Sequence, residues 1–195
     1  MSRIIIRQKI IADCAILFNQ KGYNGVSISE IEKVTGKTKA VIYGYFVTKN
    51  DLAKAVLEYN INRKLELIRE QILLRTDNIS KLQVHFDVHD PENHFLLTGG
   101  CPLLNAAIET DNTNQELHQI VAKALLLWKQ DILDLINNGI QAGEFKSGIV
   151  AGDLAWLLIS LVEGVIFINQ TTQNKKLTRQ LLYQAKLIFF RHLSV

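Results

Sequence analysis

The sequence predicts an all-α protein, with a small three-helix head at the N-terminus, one long connecting helix and a larger helical body. Three observations carry this. Only two prolines and eleven glycines interrupt 195 residues, of which 48% are hydrophobic, so long unbroken segments can bury a sizeable core. Between the turns, apolar residues recur at helical and not at strand spacing. Ser27 with Glu30 and Thr48 with Asp51 each place an acid three residues after a Ser or Thr, the pattern that opens a helix.

The elements follow in order. Ile11, Cys14, Ala15 and Phe18 lie at i, i+3, i+4 and i+7, the stripe of an amphipathic helix running from about Ser2 to Lys21 and stopping at Gly22. After the turn "GYNGVS", Ser27 and Glu30 form a capping box for a second helix, whose buried side is expected to be Ile28, Ile31 and Val34 and whose stop is Gly36. Thr38 caps a third, short helix, in which Ile42 and Phe46 face inward while Lys39 and Tyr43 share an outward face. Thr48 with Asp51 opens a fourth helix to about Leu74, long enough to span about 40 Å. "RTDNIS" ends it. Residues 76–100 carry no clear period. Further helices are expected over Leu103–Glu109, Asn114–Ala142, Val150–Gln170 and Leu177–Leu193, which places a head at 1–51 and a body at 52–195.

The net charge of +3 is modest, but residues 1–51 hold eight Lys/Arg against four Asp/Glu and the remainder fourteen against fifteen. All excess positive charge thus sits in the head, the footprint of a polyanion binder. Cys14 and Cys101 form no disulfide or zinc pattern, and a reducing cytoplasm is the default compartment. The longest apolar stretch, Leu154–Asn169, is broken by Glu163 and falls short of the roughly 20 residues that cross a bilayer, so no membrane partner is expected. Cys101 has no Lys or Arg within ten residues to lower its pKa, which favours a buried inert thiol. His85 and His89 have helical i, i+4 spacing but too few further ligands for a metal site. No metal and no cofactor is expected.

Two short helices about a glycine-containing turn, the second basic and exposed, make a helix-turn-helix, whose second helix enters the DNA major groove. In "TGKTKAVIYGYFVTKNDL" (Thr35–Leu52), a tyrosine hydroxyl can donate to a phosphate while its ring packs on the core. Gly44 lets the backbone approach DNA, and the lysines neutralise phosphates.

The segment Lys21–Leu52 resembles the N-terminal domain of the TetR family of bacterial repressors. The matching places are Gly22-Tyr23, Ser27, Gly36 with Thr38, Ile42-Tyr43 with Phe46, and Thr48-Lys49 with Leu52. "GCPLLNAAIETDNTN" (Gly100–Asn114) is similar to a stretch of one subset of members. Two departures stand out: Lys37 replaces a small apolar residue and Val47 a common proline. The resemblance implies that Ser27 and Thr48 cap helices and touch phosphate, and that Lys49 and Tyr43 bind phosphate. It also places Thr38, Lys39 and Val41 at or near base edges and Tyr45 at the groove rim, with Lys37 adding charge.

The resemblance further implies a homodimer on a palindromic double-stranded operator, released by a small-molecule effector. Leu154–Ile168 and Leu177–Leu193 carry more apolar surface than one chain needs, which suits a four-helix dimer interface. Candidate effector residues are Asn105, Glu109, Trp128, Trp156, Glu163 and Phe167; Glu163, a carboxylate within an apolar helix, is the most notable, with a seat at a dimer seam or an exposed edge as its alternative. No Ser/His/Asp, paired-carboxylate or phosphate-loop constellation is present, so a helical enzyme is the weakest reading. A helical protein-interaction module without DNA binding is the other alternative.

Overall fold

The computed structural model describes residues 2–93 and 98–193. Among these lie nine α-helices and no strand: α1 Arg3–Lys21, α2 Ile28–Thr35, α3 Lys39–Tyr45, α4 Lys49–Leu73, α5 Asn78–Asp87, α6 Pro102–Thr110, α7 Gln115–Gln141, α8 Ala151–Thr172 and α9 Lys175–Leu193. They group into two compact units, Met1–Lys64 with Leu97–Ala124, and Leu65–Leu96 with Leu125–Val195. The chain of α4 and that of α7 each supply residues to both.

In the first unit, Ile10, Ile11, Cys14 and Phe18 of α1 are buried with Ile31 of α2, Ile42 of α3, Phe46, and Leu52, Val56 and Leu57 of α4. Burying each large side chain stabilises by roughly 1.5–3 kcal/mol. The Phe18 and Tyr23 rings meet at 5.7 Å between centroids. One expectation is corrected: Val34 is 41% exposed, and the buried residues of α2 are Ile31 and Thr35. Thr35 tolerates burial because its hydroxyl donates to the Ile31 carbonyl at 2.7 Å.

The second unit is centred on the pairing of α8 with α9. Leu158, Ile159, Val162 and Ile166 are buried together with Leu182, Ala185 and Phe189, and Phe189 lies 5.9 Å from Phe86 of α5. Gly139 of α7 admits the Phe145 ring so closely that a Cβ there would stand 2.0 Å from it. Helix α5 falls in the stretch that showed no period. Its N-cap is Asp77, which accepts the Ser80 amide at 2.7 Å, and residues 94–97 of the same stretch lie outside the described residues. Helix α8 runs past Leu154–Asn169 at both ends. Against the expectation of too short a segment, it is long and apolar enough to cross a membrane by length and composition, with a mean hydropathy of 1.9. Of the apolar window in that helix, 44% is packed inside the fold.

Candidate nucleic-acid interface

Three helix starts define the surface. At α2, Ser27 and Glu30 bond reciprocally: the Glu30 amide donates to Ser27 Oγ at 3.4 Å, and the Ser27 amide donates to Glu30 Oε2 at 2.9 Å. Lys21 bonds the other oxygen of Glu30. The Lys21 bond, with Ser27 second, pulls the Glu30 carboxyl down to about 2. At α3, Thr38 Oγ1 accepts the Val41 amide at 3.5 Å, and Glu32 of α2 takes the Lys39 amide at 2.6 Å. At α4, Asp51 accepts the Thr48 amide at 2.9 Å while Thr48 Oγ1 accepts the Asp51 amide at 3.0 Å. The Thr48 hydroxyl lowers the Asp51 pKa. Each start is fixed by side chains of its own or the preceding helix, so α2, α3 and the head of α4 form a rigid frame.

That frame aims α3. Ile42 and Phe46 are buried, while Thr38, Lys39, Val41, Tyr43 and Thr48 are exposed and Lys37 and Tyr45 half-buried. Tyr43 is 37% and Val41 40% exposed. A Cβ added at Gly44 would meet nothing within 4 Å, so the backbone there is open. Lys49 is committed in part: its ammonium donates to the carbonyls of Asn24 at 2.7 Å and Val26 at 2.9 Å, tying α4 to the turn before α2. Three residues of the frame escaped sequence reasoning. Arg3 donates to the Gly44 carbonyl at 2.8 Å and lies over the Tyr45 ring, and Arg7 lies 4.9 Å from the centre of the Phe46 ring. Glu32 is the third. The partners of Arg3 and Arg7 are far away in sequence, that of Glu32 lies seven residues on across the turn, and no spacing pattern announces any of them.

The candidate effector residues fall in both units. Asn105 Nδ2 donates to the carbonyls of Gly99 at 2.7 Å and Asn19 at 3.1 Å. Glu109 accepts the amides of Tyr23 at 2.7 Å and Asn24 at 2.6 Å. Both therefore serve as struts between α6 and the end of α1. A Cβ on Gly22 would come within 2.8 Å of that carboxylate, and Gly22 has φ +86°, so glycine is needed there twice over. In the second unit Trp128 is fully buried and donates to His85 Nδ1 at 3.1 Å. Trp156 and Phe167 are 39% and 56% exposed on the outer face of α8, and Glu163 is half-buried on that helix. A groove of about 790 Å³ in this unit is lined by Ile79, Phe145, Tyr183 and Phe190 among others, and by none of the six candidates.

Residues 10–56 match the model of the bacterial regulatory proteins of the tetR family, and residues 84–184 that of the tetracyclin repressor-like C-terminal domain. The chain belongs to the TetR family. A TetR-family transcriptional regulator from Cytophaga hutchinsonii superposes with a TM-score of 0.92 at 31% identity, over 97% of this chain and 94% of that one. A TetR transcriptional regulator from Chloroflexus aurantiacus J-10-FL gives 0.90 at 29% identity, over 97% and 96%. Among curated proteins, the fatty acid metabolism regulator protein of Bacillus subtilis (strain 168) is 27% identical across 71% of each chain. This TetR-family chain is therefore a DNA-binding transcriptional regulator with an N-terminal helix-turn-helix and a helical C-terminal body.

Proposed function

We propose that the chain is a repressor that binds a palindromic operator as a homodimer and leaves it when a small-molecule effector binds the body. Residues 1–51 act as the DNA-binding head and 52–195 as the effector-binding and dimerisation body. The observation that carries the reading is the outward face of α3, where Thr38, Lys39, Val41 and Tyr43 are presented by three side-chain-capped helix starts. Thr38, Lys39 and Val41 read base edges, with Tyr45 at the rim. Tyr43, Ser27, Thr48 and the remaining hydrogen of Lys49 hold phosphates, with Lys37 adding charge.

The dimer seam is the outer stripe of α8 with that of α9. Trp156 and Phe167 flank the small Ser160 and Gly164 on α8, and α9 exposes Tyr183, Leu187 and Ile188 at 60%, 49% and 49%. A contiguous apolar surface of this kind marks an interface. Two-fold pairing places two heads on half-sites about 34 Å apart. A regulator of transcription works in the cytoplasm, where a bacterium keeps its DNA.

Selection from a random duplex library with the purified protein tests this. The expected result is an enriched palindrome whose affinity falls steeply with salt. Weak, salt-insensitive binding with no enriched sequence, in the presence and absence of candidate effectors, contradicts it.

A further inference from the structure

Helix α1 brings two arginines to the end of α3 and pairs neither with a carboxylate. Arg3 and Arg7, one turn apart on α1, are both exposed. Arg3 donates one N–H to the Gly44 carbonyl at 2.8 Å and sets its guanidinium 5.7 Å from the centre of the Tyr45 ring. Arg7 sets its own 4.9 Å from the centre of the Phe46 ring. Neither forms an ion pair among the described residues, and the acids of the head are engaged elsewhere. Asp13 pairs with Lys9 at 3.2 Å, Glu30 with Lys21 and Ser27, Glu32 with the Lys39 amide, and Asp51 with Thr48 and Lys54. The first turn of α1 carries no acid either, so Arg3 stands at the positive end of its own helix. Like charges one turn apart on a helix repel, and the Gly44 carbonyl alone accepts a bond from this pair.

We propose that Arg3 and Arg7 form a phosphate clamp for the DNA strand that passes the C-terminal end of α3, outside the base pairs that α3 reads. The clamp presupposes the operator reading above. Two cations and a helix N-terminus that converge without a carboxylate call for an anion from outside. A guanidinium suits a phosphate because its planar fork donates two parallel N–H bonds to one anion. The remaining N–H groups of Arg3 and all of those of Arg7 have no protein acceptor among the described residues. The rings preorganise the pair, since an arginine already laid over an aromatic face loses less rotamer freedom when it takes up its ligand. The approach is open, because a Cβ added at Gly44 would meet nothing within 4 Å. The same two side chains brace α3 through the Gly44 carbonyl and the Phe46 ring. A phosphate held there therefore fixes the register of α3 on the duplex.

The test measures binding of the full-length protein to its selected palindrome, and to a random duplex, across a series of salt concentrations. Arg7→Gln should weaken both duplexes roughly tenfold or more and lower the salt slope by about one per head. Arg3→Gln combined with Arg7→Gln should lower it by about two per head, whereas Arg7→Lys, which keeps the charge, should retain the slope. Ethylating single phosphates of the palindrome should interfere with the wild type at positions flanking each half-site, and the double variant should be indifferent at those positions. An unchanged salt slope and an unchanged interference pattern in the double variant would overturn the clamp. So would a loss of affinity confined to the palindrome and matched by a loss of thermal stability, which would make the arginines braces of α3 alone. Wild-type protein that enriches no palindrome fails the operator reading itself, whereas salt-sensitive wild-type binding that the double variant reproduces fails only the clamp.

Discussion

The helix-turn-helix and helix α8 are placed by different physics, whereas α9 shares the head's device, Asn174 Oδ1 accepting the Leu177 amide at 3.0 Å. In the head, Ser27, Thr38 and Thr48 each take an amide three residues on, so every helix begins at a chosen residue. Helix α8 starts at Val150 with no side-chain cap, and its place comes from its buried apolar face. Caps fix an exposed side chain to within a fraction of a turn, which reading base edges requires. Apolar burial fixes only which face turns inward, which is enough for a seam between two copies. The proposed DNA reader and the proposed dimer seam therefore call for different kinds of sequence information.

Substitutions can break that contrast. The largest effect is expected on the seam side. Phe167→Glu, which alters an exposed residue, should leave the helical circular dichroism of the folded chain unchanged while converting the protein to a monomer in sedimentation. Its affinity for the full palindrome should drop roughly a hundredfold or more, because one head then binds without its tethered twin. A monomer with full affinity would separate DNA reading from dimerisation altogether.

Next comes the strut between α6 and the head. Gly22→Ala places a side chain at φ +86°, ψ 161°, a region essentially reserved for glycine, and against the Glu109 carboxylate. A loss of about 1–3 kcal/mol is expected in denaturant unfolding. Of the same order are changes at α3. Tyr43→Phe should weaken every duplex by about 1.5–3 kcal/mol through one lost charged hydrogen bond, with the salt dependence unchanged. Lys39→Ala removes a charge and, where that charge lies against phosphate, should lower the salt slope by about one.

The smallest effect is that of acid. Glu30 is held at about 2 against an ordinary 4.5, and Glu116 is lowered by its hydrogen bond from Lys54. A depressed carboxyl stabilises the fold above its ordinary value and loses that contribution as pH falls through its folded value. The protection of amides in the head, taken relative to the intrinsic exchange rate at each pH, should therefore fall between about pH 4.5 and 2. Protection that rises across this window would contradict the assignment of these partners.

What was legible in the sequence follows the same division. The caps and glycine stops of α1 to α4 are contacts between residues three or four apart, so their types and spacing reveal them. Helix α5 was missed although Asp77 and Ser80 carry a cap, because its burial of His85 and Asn78 depends on distant partners such as Trp128 and Glu144. Val34 was misplaced because Thr35, a polar residue, takes the buried position by bonding its own helix. Cys101 was read as a buried thiol, which it is, but its neighbour in space, Lys64, lies on another helix and no pattern in the chain announces it. The effector residues were the least legible. A pocket is a shape shared by helices, and no local pattern encodes it. Asn105 and Glu109 turned out to hold backbone groups of the head's own unit.

The most direct measurement of the α3 reading is a repeat of the random-duplex selection with Val41→Asn. Val41 is 40% exposed and outside the core, so the variant should fold like the wild type. If α3 lies in the major groove, the selected palindrome should change at the same position in both half-sites, toward adenine, with the salt dependence retained. An unchanged palindrome at unchanged affinity would place Val41 away from the bases and contradict the assignment of this face as the operator reader.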